Sequence, residues 1–244
     1  MDKERIINQY FERLNIKKFN DFDSFIEYIE SNYDPLLFQQ IIDNLLKRFD
    51  EKKDELFKVK NSNLSLSLDF ISWSSDFYKK IFRDMLSMDL KKNVLDIGCD
   101  NGFITCFLAY SFRNTNFIGI DINPYSIKIA KELAKELNLK NIKFYTIDYI
   151  DIISQFSSSY FDTVISIKVL HEIDSKEDYA DIAYKLLKNN GLLYSCERLI
   201  DEEDLKEWVN LLDKSNFFIY KPIPYISFNE LDFYMEFPII YARK

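Results

Sequence analysis

The chain has 244 residues, of which 32 are Lys or Arg and 40 are Asp or Glu, for a formal net charge of -8 at pH 7. That length holds one ordinary domain with an elaboration, or two small domains, and can bury a sizeable core. A hydrophobic share of 47% excludes a disordered chain, and the acidic balance disfavours nucleic acid, whose phosphates attract the opposite sign.

Three cysteines (Cys99, Cys106 and Cys196) cannot close a disulfide framework, and none forms a C-x-x-C pair. With a single histidine there is no Cys/His zinc cage, so no metal is expected. We read the thiols as reduced and the location as cytoplasmic. The first residues, MDKERIINQY, lack the apolar stretch of a signal peptide. No apolar run approaches the roughly 18 residues of a membrane span. Glycine is scarce, with only 4 residues. In so glycine-poor a chain, Gly98, Gly102, Gly119 and Gly191 are expected where the backbone needs them.

Residues 1–90 contain no glycine and one proline, and their apolar side chains recur at helical spacing. Ile6, Ile7, Tyr10, Phe11 and Leu14 mark a first helix. Asp34-Pro35 reads as an N-cap and first helical residue, opening a helix with Leu36, Leu37, Ile41, Leu45, Leu46 and Phe49. A polar stretch from Asn61 to Ser67 interrupts the pattern. One helix is then predicted from about Asp69 to Met88, with Phe70, Trp73, Phe77, Ile81, Met85 and Met88 in register. Trp73, Phe77 and Tyr78 fit ordinary core and a cover over a ligand equally well.

From residue 93 the period changes. Short β-rich runs at Val94–Ile97, Phe117–Ile120, Ile142–Ile147, Val164–Ile167 and Leu192–Cys196 alternate with helical ones. Asn123 and Pro124 cap and open a helix over 124–138. Ser175 opens another before Tyr179–Leu187 in a capping-box pattern. Asn190-Gly191 signals a turn before the fifth strand. This alternation predicts a parallel sheet covered on both faces. The aromatic segment 217–244 reads as a final hairpin.

Ligands of such sheets bind beyond the carboxyl ends of the strands, so strand exits carry the chemistry. The first strand leaves as VLDIGCDNGFIT, from Val94 to Thr105. Its glycines, four apart, make a turn that lets a ligand approach the backbone. It is not the dinucleotide fingerprint, because Asp100 and Thr105 stand at glycine positions, and no Gly-Lys-Ser/Thr follows to make a phosphate loop. Asp96 and Asp100 would repel phosphates and favour a cationic ligand. Asp121, at the second strand's tip and about 20 residues past the glycine turn, is placed to take two ribose hydroxyls. Asp148, at the third tip, can accept from an adenine amino group, with Asp151 as a neighbouring candidate.

The ordered set VLDIGCDNG, GIDIN, the Asp148 tip, FDTVISIKVLHEI and LLKNNGLLYSCE resembles the class I S-adenosylmethionine-dependent methyltransferases over about residues 75–244. The resemblance implies a Rossmann-like, doubly wound, mostly parallel seven-stranded sheet with a C-terminal antiparallel hairpin. It would occupy residues 91–244, behind an N-terminal helical cap of residues 1–90. It also implies S-adenosyl-L-methionine as cofactor. Asp96, Gly98, Cys99 and Gly102 would frame the methionine end, Asp121 would hold the ribose, and Ile122 would pack on the adenine. Asp148 and Tyr149 would meet the adenine edge, and Ser166 with Ile167 would pass beneath the sulfonium. Two departures from the family pattern are Asp100, where the loop's middle glycine is usual, and Asn189-Asn190-Gly191, where Pro-Gly-Gly is usual. Asp tolerates positive φ better than most residues, so the loop can still form.

His171 and Glu197, at the exits of the fourth and fifth strands, are the candidate acceptor-side catalytic residues, with Glu172 beside them. A histidine there can serve as a base for a hydroxyl acceptor. Its bland reading is a polar residue opening the next helix. Cys99 and Cys106 fit small packing residues better than nucleophiles. The leading expectation is methyl transfer to an O or N atom of a small molecule, because the fourth strand ends Ser166-Ile-Lys-Val and lacks the signature of enzymes that methylate base amines. A peptide or protein acceptor docking on the helical region is the second reading. The third is a non-catalytic cofactor-binding scaffold, whose cap seals the site or forms a homodimer.

Overall fold

The computed structural model describes residues 2–46, 58–199, 201–230 and 233–244. Phe49, expected in the third helical segment, lies outside them. The chain divides into two compact units, Met1–Leu86 with Phe228–Met235, and Ser87–Ser227 with Glu236–Lys244.

The first unit is helical. Helices α1 (Lys3–Arg13), α2 (Phe22–Asn32), α3 (Pro35–Leu46), α4 (Leu64–Trp73) and α5 (Ser75–Met85) follow in order. Asp2 caps α1, accepting from the Arg5 N–H at 3.1 Å. Asp34 caps α3 as expected, accepting from the N–H groups of Leu36 and Leu37 at 3.1 and 3.0 Å. Helix α2 was not singled out from the sequence. It opens on Asp21, which shares a reciprocal capping box with Ser24. The single helix expected over 69–88 is two helices. Asn63 starts α4 earlier by accepting from the Leu66 N–H at 2.9 Å, and Ser74, at φ -100 and ψ 27, ends it. The polar stretch at 61–67 thus holds the expected break at 61–63, followed by the first turn of α4.

Phe25, Ile29, Ile41 and Leu66 form one core of this unit, with Phe70 and Trp73 packed against it. Trp73 meets Phe25 edge-on at 5.0 Å, and Phe77 lies 4.8 Å from Phe228. Trp73 and Phe77 thus serve as packing groups of the helical unit. A partly buried polar knot sits among these helices. The Asp69 carboxylate accepts from Lys17 Nζ at 3.0 Å and from the Tyr33 hydroxyl at 2.5 Å.

The second unit carries β1 (Asn93–Ile97), α6 (Phe103–Ser111), β2 (Asn116–Asp121), α7 (Pro124–Glu136), β3 (Ile142–Thr146), α8 (Ile152–Gln155), β4 (Phe161–Ile167), α9 (Lys176–Leu186), β5 (Leu187–Cys196), α10 (Glu202–Lys214) and β6 (Phe218–Ile219). Strands β7 (Tyr225–Glu230) and β8 (Phe233–Arg243) complete the order. Among the described residues one path of the sheet runs β3-β2-β1-β4-β5-β8-β6, with β7 paired to β8 off that path. Strands β1 to β5 are parallel, and β8 runs antiparallel to both β5 and β6.

Parallel strands covered on both faces need continuous apolar runs. Val94, Leu95 and Ile97 are accordingly buried along β1, as are Val164 and Ile165 along β4. Trp208 and Leu212 of α10 join Tyr179 and Ala183 of α9 in the core under β4 and β5. The Asn190-Gly191 turn falls within β5 rather than before it, because the β4–β5 register jumps from Phe161↔Leu187 to Thr163↔Leu192. Asn190, at φ 62, makes the left-handed step. Gly191 is needed for close approach, since a Cβ there would stand 2.8 Å from the Lys188 carbonyl oxygen.

Candidate active site

The strand order reverses direction between β1 and β4, which pair in parallel, and the C-terminal ends of β1, β2 and β4 lie side by side there. The turn leaving β1 has three residues in the left-handed region, Gly98 at φ 68, Asp100 at φ 45 and Gly102 at φ 72. Aspartate therefore occupies the conformation that a middle glycine would otherwise supply. Two longer-range bonds hold it there. The Asp100 N–H donates to Asp121 Oδ2 at 2.9 Å, and the Ser126 hydroxyl donates to Asp100 Oδ1 at 2.7 Å.

The glycines are also wedged. A Cβ on Gly98 would lie 2.6 Å from Val169 Cγ2, and one on Gly102 would lie 2.7 Å from both Ala130 Cβ and Phe144 Cζ. The turn is thus pinned between the β4 exit and helix α7.

Asp121 ends β2. Its Oδ1 accepts from the Asn123 N–H at 2.8 Å while Oδ2 takes the Asp100 N–H. Each oxygen has a second lone pair, so the carboxylate is oriented without being exhausted. Asn123 caps α7 through Tyr125 and Ser126 N–H groups at 2.9 and 3.3 Å. Ile122 between them is 70% exposed, an apolar face left to solvent.

Asp96 is buried on β1 and accepts from the Thr105 hydroxyl at 2.5 Å. Thr105, which stands where the dinucleotide fingerprint has its last glycine, is here a carboxyl partner. Burial pushes Asp96 up to about 7, and the nearby Asp121 charge adds to the rise against the opposing Thr105 bond. Burial, with Asp96, Asp121 and Asp100 charges behind it, also holds the Cys99 thiol well above its ordinary range. Cys106 is raised in the same way. Neither is a thiolate nucleophile at neutral pH.

On the third strand's side, Asp148 accepts from the Ile150 N–H at 3.1 Å in a local turn. Tyr149 leans the other way. Its hydroxyl meets the Ser175 carbonyl at 3.4 Å and its ring lies 5.3 Å from that of Tyr179. The structure therefore brings Asp96, Gly98, Cys99, Gly102, Asp121 and Ile122 into one neighbourhood, whereas Tyr149 packs toward α9.

The exit of β4 holds the remaining candidates. Ser166 is fully buried, and its hydroxyl donates to Glu197 Oε1. Glu197, expected on the acceptor side, is only 1% exposed. Its Oε2 accepts from the Val169 and Leu170 N–H groups at 2.6 and 3.1 Å. Burial raises its proton affinity, while the Ser166, Leu170 and Val169 bonds oppose the rise. Its placement is internal because β5 pairs with β4 through Ser166↔Ser195 and Ile167↔Cys196, which sets the next residue under the β4 exit loop. His171, in contrast, is exposed, with Nε2 3.0 Å from Glu172 Oε1. Tyr179 is fully buried near Ser166 and Glu197. Sequence reasoning did not find Thr105, Ser126, Val169 or Tyr179 as contributors, since each acts across a distance in the chain that no local pattern reports.

Residues 89–219 match the family model described as a methyltransferase domain. The chain belongs to the class I S-adenosylmethionine-dependent methyltransferases. It is similar to protein 235L of Invertebrate iridescent virus 6, which carries a methyltransferase name, at 27% identity over 66% of this chain and 60% of that one. It is also similar to human EEF1A lysine methyltransferase 2, at 30% identity over 57% of this chain and 60% of that one. The chain thus spans less than two thirds of the length of both relatives. Among solved structures, a methyltransferase from Aquifex aeolicus shares the fold with a TM-score of 0.58 at 16% identity, over 75% of this chain and 97% of that one.

The methyltransferase's residues fit the family's cofactor, S-adenosyl-L-methionine. A positively charged sulfonium and ammonium suit a neighbourhood holding Asp96, Asp100 and Asp121, whereas such acids would repel a phosphate. When bound, that cofactor supplies an already activated methyl group, so the protein needs to orient an acceptor and exclude water.

Proposed function

We propose that this methyltransferase acts on an O or N atom of a small molecule, with Asp121 as the ribose contact and His171 as the acceptor-side base. The observation that carries the reading is the pairing of one exposed imidazole with Glu172 directly after the β4 exit, in the loop whose Val169 packs against Gly98. An imidazole at that place can take the proton of a hydroxyl acceptor as the methyl group is transferred. Asp96, Gly98, Cys99 and Gly102 frame the methionine end in this reading, Ile122 packs on the adenine, Asp148 meets its edge, and the helical region selects the acceptor.

A protein side chain is the second acceptor class, favoured by the lysine methyltransferase name of the human relative. The experiment has two stages. Isothermal titration with S-adenosyl-L-methionine is expected to give micromolar-range binding that weakens at least about tenfold in Asp121→Ala, a loss of about 1.4 kcal/mol or more. Absence of binding, or an indifferent Asp121→Ala, refutes the cofactor assignment. Incubation with methyl-labelled cofactor and separated small-molecule and protein fractions then decides the acceptor class. Label in the small-molecule fraction that is lost in His171→Ala supports the proposal, and label confined to protein overturns it.

A further inference from the structure

The loop leaving β4 has an unusual course. Lys168 adopts φ 56, a left-handed conformation that carries strain for a side-chain-bearing residue. Its N–H donates to the Cys196 carbonyl at 3.0 Å, which draws the loop toward the end of β5. The next two N–H groups, of Val169 and Leu170, then converge on one oxygen of Glu197. The Glu172 N–H closes a turn on the Val169 carbonyl at 2.8 Å. Three consecutive features of the loop are therefore set from one side by residues that end β5.

The loop has two outputs. Val169 is buried against Gly98, so close that any Cβ on the glycine would overlap it. His171 and Glu172 emerge one and two residues after Leu170. A charged carboxylate holding backbone donors is a strong and directional anchor, and its burial makes the bonds costly to lose.

We infer that Glu197 is a positioning residue for methyl transfer: by anchoring the Val169 and Leu170 amides it seats Val169 behind the Gly98 turn and sets where His171 leaves the sheet. This rests on the reading of the Gly98 turn as the cofactor site, but gives Glu197 a different part from direct acceptor chemistry. It acts through the loop and touches neither ligand.

The test compares Glu197→Ala, Glu197→Gln and Val169→Ala with Trp208→Phe as a stability control. Trp208 is buried, and its indole N–H donates to the Ser195 hydroxyl at 3.2 Å. Binding of S-adenosylhomocysteine, the demethylated cofactor, is measured by titration well below each melting temperature. Amide spectra of the ligand-free proteins report on Val169 and Leu170. Glu197→Ala is expected to shift both amide signals and weaken binding about tenfold or more. Glu197→Gln can offer one oxygen to both amides and its amino group to the Ser166 hydroxyl, so it should recover binding to within about threefold. Trp208→Phe should lower the melting temperature and leave binding unchanged. If Glu197→Ala does not fold, Val169→Ala decides: weaker binding supports the inference, and unchanged binding overturns it. Wild-type binding with an indifferent Glu197→Ala sinks the inference alone. Wild-type protein that takes up no S-adenosylhomocysteine sinks the cofactor reading and the inference with it.

Discussion

Replacing Asp96 with Asn isolates the energetic consequence of the most perturbed carboxyl in the site. Asp96 is buried and its proton affinity is raised from 3.8 to about 7, chiefly by desolvation. A carboxyl whose folded-state pKa lies above its unfolded value favours folding while it is protonated. That contribution is fully present below about pH 4 and fades as pH rises through about 7, where the native state must hold a charge that water would solvate better. That rise corresponds to a ceiling of about 4 kcal/mol, of which about 2–3 kcal/mol develops between about pH 5 and pH 8.5. Asn keeps an oxygen for the Thr105 hydroxyl but cannot ionise. The assay is urea unfolding of wild type and Asp96→Asn at both pH values. The stability difference should move by about 2–3 kcal/mol in favour of the variant at the higher pH, a midpoint change of about 1 M for a slope near 2–3 kcal/mol per molar. Glu197, also raised, titrates in both proteins and cancels in the difference. Parallel pH profiles for the two proteins would refute the claim that burial of Asp96 stores this energy. A cationic cofactor beside the same carboxyl should deprotonate it, so wild type should release a proton on binding near pH 6 while Asp96→Asn does not.

The packing of the glycine turn gives a second expectation. Gly98→Ala meets both a positive φ and Val169 Cγ2 at 2.6 Å, so it should destabilise by about 1–3 kcal/mol. The double variant with Val169→Ala relieves the overlap but not the backbone strain. Thermal melts should therefore show partial rescue, and full rescue would remove backbone conformation from the explanation. The cysteines supply a third. Cys99, Cys106 and Cys196 are all buried, so a maleimide at about pH 8 should label none of them rapidly in native protein and all three after unfolding. Rapid native labelling would contradict the burial of these thiols.

Local chemistry made much of the molecule legible. The Asn123-Pro124 start of α7, the Asp34-Pro35 start of α3 and the five parallel strands follow from short-range signals, namely caps, proline and continuous apolar runs. Helix α2 escaped because its box pairs Asp21 with Ser24, where the usual signature ends in Glu or Gln. Helix α10 also passed without notice, although Asp201 caps it by accepting from the Glu203 and Asp204 N–H groups at 2.8 and 3.0 Å. The break between α4 and α5 was hidden because apolar spacing continues across Ser74, and periodicity alone does not register one residue leaving the helical conformation.

The amino-acid order by itself determined the strand–turn–helix at 94–105, the acid at the tip of the second strand and the family they define. These are steric and near-neighbour matters: a tight turn needs residues that accept positive φ, and strand length sets where a carboxylate emerges. Only the tertiary structure decided that Thr105 serves Asp96, that Ser126 steadies Asp100, and that Glu197 turns inward to hold the loop after β4. Hydrogen bonds between residues 9, 26 and 31 positions apart depend on which strands become neighbours. Proton affinities depend on the water that those neighbours exclude, and no stretch of sequence carries either quantity alone.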